Sequence, residues 1–236
     1  ASINRLKGVN NNIQNAVSFL EVQDGVMEGA ASILSRMGEL KALSQDVLKN
    51  SSDIANYNAE FKNLQVQLYQ MSEETFNGVS LFATTTTQAG GTEAVFSNLN
   101  QDLTLDNTVS VFVSAEGNAG PKVSVSKSLL LSALTINAST LAAAKFSDGV
   151  ANANVFSFAS ASAADNINLS DISVGVFTQA IQNIATLRAD NGASMSRLRF
   201  AGEEMGMQET NLIAANGRII DVDIAAESTR LAKYNV

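Results

Sequence analysis

Residues 215–231 read ANGRIIDVDIAAESTRL, and the secondary structure of this stretch decides the fold. Three aliphatic residues alternate with Asp221 and Asp223, which is the spacing of a half-buried strand with two acids on its polar face. A strand would hold both carboxylates side by side, as a shared metal ion requires. A helix turns by about 100° per residue, so side chains two positions apart point to nearly opposite faces.

The flanking sequence favours the helix, because apolar residues recur every three or four positions from about Ile172 to Ala226. This spacing places Ile219 and Val222 on the apolar seam and leaves both aspartates off it. The sequence therefore predicts a single helix of about 60 residues, far longer than the roughly 8 to 20 residues of most globular helices.

A second apolar seam begins at Leu6 and continues for roughly four heptads, broken once by Gln23. It predicts an N-terminal helix of about 45 residues. Asn50 and the two serines after it suit a turn and a helix cap, and a new seam starts at Ile54. We therefore expect two N-terminal helices that are joined by a short turn and lie antiparallel.

The long C-terminal helix can bury its seam only against other helices, and the two N-terminal helices are its predicted partners. The predicted fold class is mainly α with a small β part, in which long antiparallel helices from both ends of the chain pack as a bundle or coiled coil. The predicted helix-bundle core consists of Leu6, Ile13, Leu20, Leu34, Phe61, Leu64, Leu68, Ile184, Leu187, Leu198, Leu212, Ile219 and Val222.

The composition changes between the two helical regions. Asn77-Gly78 is a strong turn signal, and valines alternate on both sides of a turn that contains Pro121, which predicts a β-hairpin. Residues 128–170 are rich in Ala, Ser and Asn, and we expect a short helix or turns with irregular strand there. The predicted domains are a helical domain of residues 1–82 and 172–236 and a β-rich, surface-exposed middle domain of residues 83–171.

The composition excludes most kinds of site chemistry. The 236 residues include no His, Cys or Trp, which removes Ser-His and Cys-His nucleophiles, Cys/His zinc sites and disulfides. The net charge of −8 and the scattered basic residues argue against a nucleic-acid partner. No apolar run approaches the roughly 18 residues of a membrane span, so we expect no membrane insertion. We also expect no enzymatic activity, no catalytic residue, no cofactor and no metal.

Two acidic pairs and one threonine run are the candidate sites that remain. Asp221 and Asp223 resemble a metal-binding Asp-x-Asp pair, but on a helix they diverge, which favours a solvated face. Glu73 and Glu74 would suit acid/base work in a cleft, but neighbours on a helix splay apart, which favours a structural role at the helix exit. Residues 84–87, all threonine, fit a glycan-bearing or ligand-binding loop, although a plain polar loop is favoured.

Several separated segments carry a resemblance to one family. The stretches ILSRMGELKALSQD, ETFNGVSLF, TLRADNGASMSRL and NGRIIDVDIAAESTRLAKYNV are similar, in the same order, to segments of bacterial flagellin, the filament subunit. The likeness covers roughly residues 1–82 and 172–236, and VSVFVSAEGNAGPKVSVSKSLLLSALTI is more weakly similar to the hairpin segment that follows in flagellins. The resemblance implies an extracellular structural subunit of the flagellar filament that self-assembles through its long helices for motility.

The resemblance also implies partners. In the family the extreme terminal segments form the inner tube of the filament, and we expect both to be missing here, which would leave a monomeric fragment. Full-length subunits are exported unfolded and added at the distal tip, so flagellar export and cap proteins are expected partners beside other flagellin subunits. The family's helical domain carries a surface recognised by a vertebrate Toll-like receptor, and the matching positions are Arg36, Leu40 and Glu60. Gly38 stands where the pattern usually has Arg, which weighs against that recognition.

Two other functions stay open. A hook–filament junction protein shares the helical ends, although the near-complete run of flagellin-like segments argues against it. A cell-surface glycan-binding adhesin on a flagellin-like scaffold would use the polar residues 83–170. Sugar sites favour aromatic side chains in pockets, and this stretch has no Trp or Tyr. Its aromatic residues are Phe96, Phe112, Phe146, Phe156 and Phe158.

Overall fold

Three long helices dominate the computed structural model, which describes residues 2–83, 95–96, 108–114, 116–147 and 150–234. The helices are α1 (Ser2–Ser44), α2 (Ser51–Ser72), the one-turn α3 (Leu130–Ala133) and α4 (Val174–Tyr234). The strands are β1 (Thr75–Phe76), β2 (Val79–Ser80), β3 (Thr108–Phe112), β4 (Lys122–Ser126), β5 (Thr135–Asn137), β6 (Ala142–Ala143), β7 (Val150–Asn152) and β8 (Val155–Ser157). Short 3-10 turns lie at Gly117–Ala119 and Leu169–Asp171.

The break between α1 and α2 is a capped turn. The Asp53 N–H donates to Asn50 Oδ1 at 2.9 Å, and the Asn50 N–H donates to Asp53 Oδ2 at 3.4 Å, which together form a capping box. The Leu48 N–H donates to Asp46 Oδ1 at 2.9 Å and tightens the turn. The predicted pair of N-terminal helices with a short connection is confirmed.

The middle of the chain forms small antiparallel sheets. β1 and β2 form a hairpin whose two-residue turn has positive φ at both Asn77 (49°) and Gly78 (77°), the requirement of a type I′ turn. β3 pairs with β4, as the alternating valines predict, and a four-stranded sheet has the order β6-β5-β8-β7. In this sheet Ile136 of β5 lies opposite Phe156 of β8.

The chain divides into two compact units. One comprises Ala1–Val17, Ser110–Val123 and Ser196–Val236, and the other comprises Ser18–Val109 and Ser124–Met195. Each unit contains a part of α1 and a part of α4. The division into a helical domain and a middle domain partitions the chain in another way, and it stays a prediction.

Helices α1 and α4 pack together antiparallel. In the first unit a Cβ added at Gly202 would lie 3.4 Å from Ile13 Cγ2. In the second unit Arg188 Nε lies 2.9 Å from Asp24 Oδ1, so residue numbers fall along α4 as they rise along α1. The mainly helical fold with both ends of the chain paired is therefore confirmed. Buried side chains from the predicted core are Leu6, Ile13, Leu20, Leu34, Phe61, Leu68, Ile184, Leu187 and Leu198.

Four of the predicted core residues lie outside that core. Leu64 is half-buried. Leu212, Ile219 and Val222 are 40%, 68% and 69% exposed, so the prediction that they pack inside a single chain is wrong.

The cause of their exposure is the pairing of the two helices. Because Ile13 lies beside Gly202 and both helices have the same rise per residue, the first residues of α1 lie opposite the part of α4 near Ile213. Further along α4 no described residue of α1 lies opposite, and α4 is exposed from Asn211 to Tyr234.

Candidate interaction surfaces

The exposed end of α4 carries several large apolar side chains. We call the α4 apolar surface the side chains of Leu212, Ile213, Ile219, Ile220, Val222, Ile224 and Leu231, all of which are exposed. Single exposed apolar side chains are common, but so many close together on one helix indicate a contact with another molecule. Polar neighbours keep the helix solvated, and Arg230 Nη1 lies 3.6 Å from Glu227 Oε2 as an i,i+3 pair.

The two acidic pairs have the geometry of structural residues. α4 is helical throughout, so Asp221 and Asp223 diverge on an exposed face, and the helical interpretation of the opening stretch is confirmed. Within the described residues no three acidic side chains come close enough to hold a metal ion. The Glu73 N–H donates to the last carbonyls of α2, and the Glu74 carbonyl accepts from Leu81 N at 3.1 Å. The threonines at 84–87 lie outside the described residues.

An exposed ion pair joins α1 to α2. Arg36 Nε and Nη2 donate to the two carboxylate oxygens of Glu60 at 2.8 and 3.3 Å, and Nη1 donates to Glu39 Oε2 at 3.0 Å. The hydrogen bonds to Glu60, and then those to Glu39, hold the pKa of the Arg36 guanidinium above its ordinary value. Arg36 and Glu60 therefore form one planar, charged surface feature.

Leu40 does not belong to that surface. Its side chain is fully buried, so the prediction that it contributes to a receptor surface is wrong. The sequence contained the signal for this, because Leu40 continues a second apolar row with Val26 and Ile33 that widens the buried face of α1.

Buried amide side chains are the feature that the sequence interpretation missed. Gln23 is fully buried, and its Nε2 donates to the backbone carbonyls of Leu81 at 2.6 Å and Ser126 at 3.1 Å. Asn191 Nδ2 donates to Gln23 Oε1 at 3.1 Å and to the Leu20 carbonyl at 2.9 Å. The available signal was that Gln23 alone interrupts the α1 seam and that Asn191 occupies a seam position of α4 where an apolar residue is expected.

A second set of polar side chains holds the segment before α4 against α1 and α2. Gln65 Nε2 donates to the Ile167 carbonyl at 2.8 Å, and the Ile167 N–H donates to Gln65 Oε1 at 3.1 Å. The Gln65 amide therefore pairs with Ile167 as the peptide group of a neighbouring strand would. Lys41 Nζ donates to the Leu169 carbonyl at 2.6 Å. Burial lowers the pKa of the Lys41 amine, and the charge of Asp171 opposes that shift.

Two aromatic residues of the middle region pack against helical residues and not against each other. The Phe158 ring packs 4.9 Å from that of Phe177 in the core, and the Phe146 ring lies 6.0 Å from that of Tyr69. A cleft of about 490 Å³ lies where α1 ends and α2 begins, and its lining is polar and aliphatic, without any phenylalanine. These positions do not support a sugar-stacking site. In the part of the chain that the structure describes, no helix combines the length and apolarity needed to cross a membrane.

Sequence families match both helical regions. Residues 1–87 match the bacterial flagellin N-terminal helical region, and residues 174–236 match the bacterial flagellin C-terminal helical region. Together the two matches cover more than half of the chain.

Similar proteins include curated flagellins and one solved structure. Flagellin of Bacillus subtilis (strain 168) is 25% identical over 99% of this chain and 74% of its own length. The flagellar filament 31.3 kDa core protein of Treponema maltophilum is 22% identical over 100% of this chain and 73% of its own length. The crystal structure of Bacillus cereus flagellin aligns with a TM-score of 0.54 and 18% identity, covering 87% of this chain and 94% of that one, which is a likeness of fold.

Proposed function

The chain belongs to the bacterial flagellin family, and on that premise we propose that the α4 apolar surface is its contact with other subunits. Flagellins are structural subunits of the flagellar filament and not enzymes, and they act outside the cell, where they assemble with other flagellin subunits. The proposal concerns the part of this chain that forms the contact between subunits.

The exposure of α4 supports this assignment. Ile219 and Val222 lie three residues apart on one helical face, continue the seam that α4 buries against α1, and have no described side chain over them. Leaving such side chains in water loses about 1.5 to 3 kcal/mol for each relative to burial, so a second copy has a strong reason to cover them. In a helical filament, a surface of one subunit binds a different surface of the next subunit. The exposed part of the α4 seam can provide one of these two surfaces.

Charging the α4 apolar surface tests the proposal. We expect Ile219→Lys with Val222→Lys to reduce filament yield at least tenfold in cells that carry no other flagellin, measured by electron microscopy and by protein in sheared filaments. The same variant should keep the melting temperature of the free subunit within about 2 °C, because both side chains are already exposed. Asn216→Lys with Ser228→Lys, which adds the same two charges at exposed polar positions of α4, is the matched control and should still give filaments. Normal filaments from the double variant would contradict the proposal.

We propose, secondly, that a vertebrate receptor of the Toll-like class recognises this chain through the Arg36–Glu60 pair. The pair is exposed and joined by two hydrogen bonds, whereas Leu40 is buried. Arg36→Ala and Glu60→Ala should leave the melting temperature within about 2 °C, since exposed ion pairs contribute little to stability. A loss of signalling in receptor-bearing reporter cells, relative to Ser35→Ala, would then report recognition. No signal from the parent chain, or equal signals from all variants, would contradict it.

The remaining expectations rest on the family alone. We propose flagellar export and cap proteins as further partners, and a helical domain (1–82 and 172–236) that carries a middle domain (83–171). That the terminal filament-core segments are missing from this chain stays a prediction.

A further inference from the structure

Gln23 and Asn191 form a buried polar contact between the seams of α1 and α4; we call this pair the amide clamp. Gln23 is completely buried in α1, and Asn191 is 4% exposed in α4. Their side chains meet at 3.1 Å, between Asn191 Nδ2 and Gln23 Oε1. Leu20 and Met27, one turn before and after Gln23 on the α1 seam, are both buried aliphatic side chains.

The hydrogen bonds of the clamp allow only one orientation of each amide. Gln23 Nε2 faces the carbonyls of Leu81 and Ser126, which can only accept, so its NH₂ group must point there and its Oε1 must point to Asn191. Asn191 then has to present its own NH₂ group to Gln23 Oε1 and to the Leu20 carbonyl. This leaves Asn191 Oδ1 buried with no hydrogen-bond partner among the described residues. Every side-chain N–H of the two amides is thus hydrogen-bonded, and one acceptor, Asn191 Oδ1, is left without a partner.

Apolar seams of this kind do not by themselves define a register. Side chains recur on each seam every three or four residues, so a slip of one helical turn again brings apolar side chains together. A slip of four residues, about one turn, would place Met195 instead of Asn191 beside Gln23. Gln23 Oε1 would then lose its amide donor, and the Asn191 NH₂ group would lie among apolar side chains without an acceptor.

We propose that the amide clamp fixes the axial register of α1 against α4. Gln23 extends the same function to the middle of the chain, because its NH₂ group ties the end of the β1–β2 hairpin, at Leu81, and the end of β4, at Ser126, to one point on α1. Asn191 is a positioning residue in this scheme, since it holds α4 to that point. The proposal does not depend on which surface contacts other subunits.

The absence of cysteine allows the register to be read by engineered disulfides. A Cβ at Gly202 would lie 3.4 Å from Ile13 Cγ2, which is where the sulfur of a cysteine at position 13 would sit, so Ile13→Cys with Gly202→Cys reports the register of the structure. Gly206 lies one turn further along α4, and a Cβ there would have no neighbour within 4 Å. Ile13→Cys with Gly206→Cys therefore reports a slip of one turn.

The test compares both disulfides after refolding with and without the clamp. Asn191→Leu fills the same space without polar atoms and leaves the Gln23 bonds to Leu81 and Ser126 in place. We expect it to raise the yield of the 13–206 disulfide about tenfold over the parent, with a matching loss of the 13–202 disulfide. Ile184→Leu, one heptad earlier on the same buried seam, is the matched control and should behave as the parent. Asn191→Asp keeps the size but turns an acceptor toward Gln23 Oε1, so it should behave as Asn191→Leu.

Two results would overturn the proposal. If Asn191→Leu and Asn191→Asp give only the 13–202 disulfide, with the yield of the parent, apolar packing alone fixes the register. If either variant loses both disulfides, the clamp maintains packing as a whole and does not select among registers.

Discussion

At the scale of single residues, the stability of this fold depends on a few buried polar side chains as well as on its apolar seams. Gln23→Met removes both donors to the Leu81 and Ser126 carbonyls and should cost about 2–4 kcal/mol, since each buried group left unpaired costs about 1–3 kcal/mol. Asn191→Leu should cost about 1 kcal/mol or less, because it also removes the unpaired Oδ1. Urea unfolding of the two variants measures the difference, and equal losses would contradict it.

Lys41 gives the fold a defined pH dependence. Burial lowers its pKa in the folded chain below that in the unfolded chain, so between the two values the unfolded chain binds more protons. The contribution of Lys41 to the free energy of unfolding therefore rises with pH between these two pKa values, because the buried amine loses its charge. The urea midpoint of the parent minus that of Lys41→Met should increase from pH 7 to pH 10, and a constant difference would show that the Lys41 amine is not titrating there.

The sequence predicts the seam positions well and their polar interruptions poorly. Leu6, Ile13 and Leu198 are buried because a three-four spacing is a local property of a helix. The role of Gln23 depends on carbonyls 58 and 103 residues away, which no local pattern reveals.

At the scale of elements, the turn between β1 and β2 illustrates how a local signal becomes a structural requirement. Gly78 has φ of +77° with no side chain near its missing Cβ, so Gly78→Ala should cost about 1–2 kcal/mol through backbone conformation alone. Gly25 is exposed within α1 and also has open space, so Gly25→Ala should stabilise by about 0.5–1 kcal/mol. Thermal unfolding of both variants, which add the same methyl group, should show opposite signs; a shift of the same sign would contradict the I′ turn.

The sequence predicts the helices themselves, but it does not predict whether their ends are buried within the chain. Periodicity indicates α4 as one helix of great length, and the structure confirms it from Val174 to Tyr234. Periodicity also assigns Ile219 and Val222 to a buried seam, yet it does not say which chain covers that seam. Within one chain no described residue covers this part of the seam, because α1 ends before the antiparallel pairing reaches it.

At the scale of the whole molecule, this flagellin buries one part of a continuous α4 seam against its own α1 and leaves the other part bare. The α4 seam therefore has two kinds of position, which the sequence cannot tell apart. Leu198 is covered by the chain itself, whereas Val222 is 69% exposed in the single chain and is assigned to other subunits.

The most direct test is thiol labelling of Val222→Cys and Leu198→Cys in a chain that has no other cysteine. Maleimide labelling should be fast for Cys introduced at 222 in free subunits and at least about tenfold slower in filaments, whereas the position-198 variant should label slowly in both. Equal, fast labelling at position 222 in subunits and filaments would contradict the claim that other copies cover the bare part of α4.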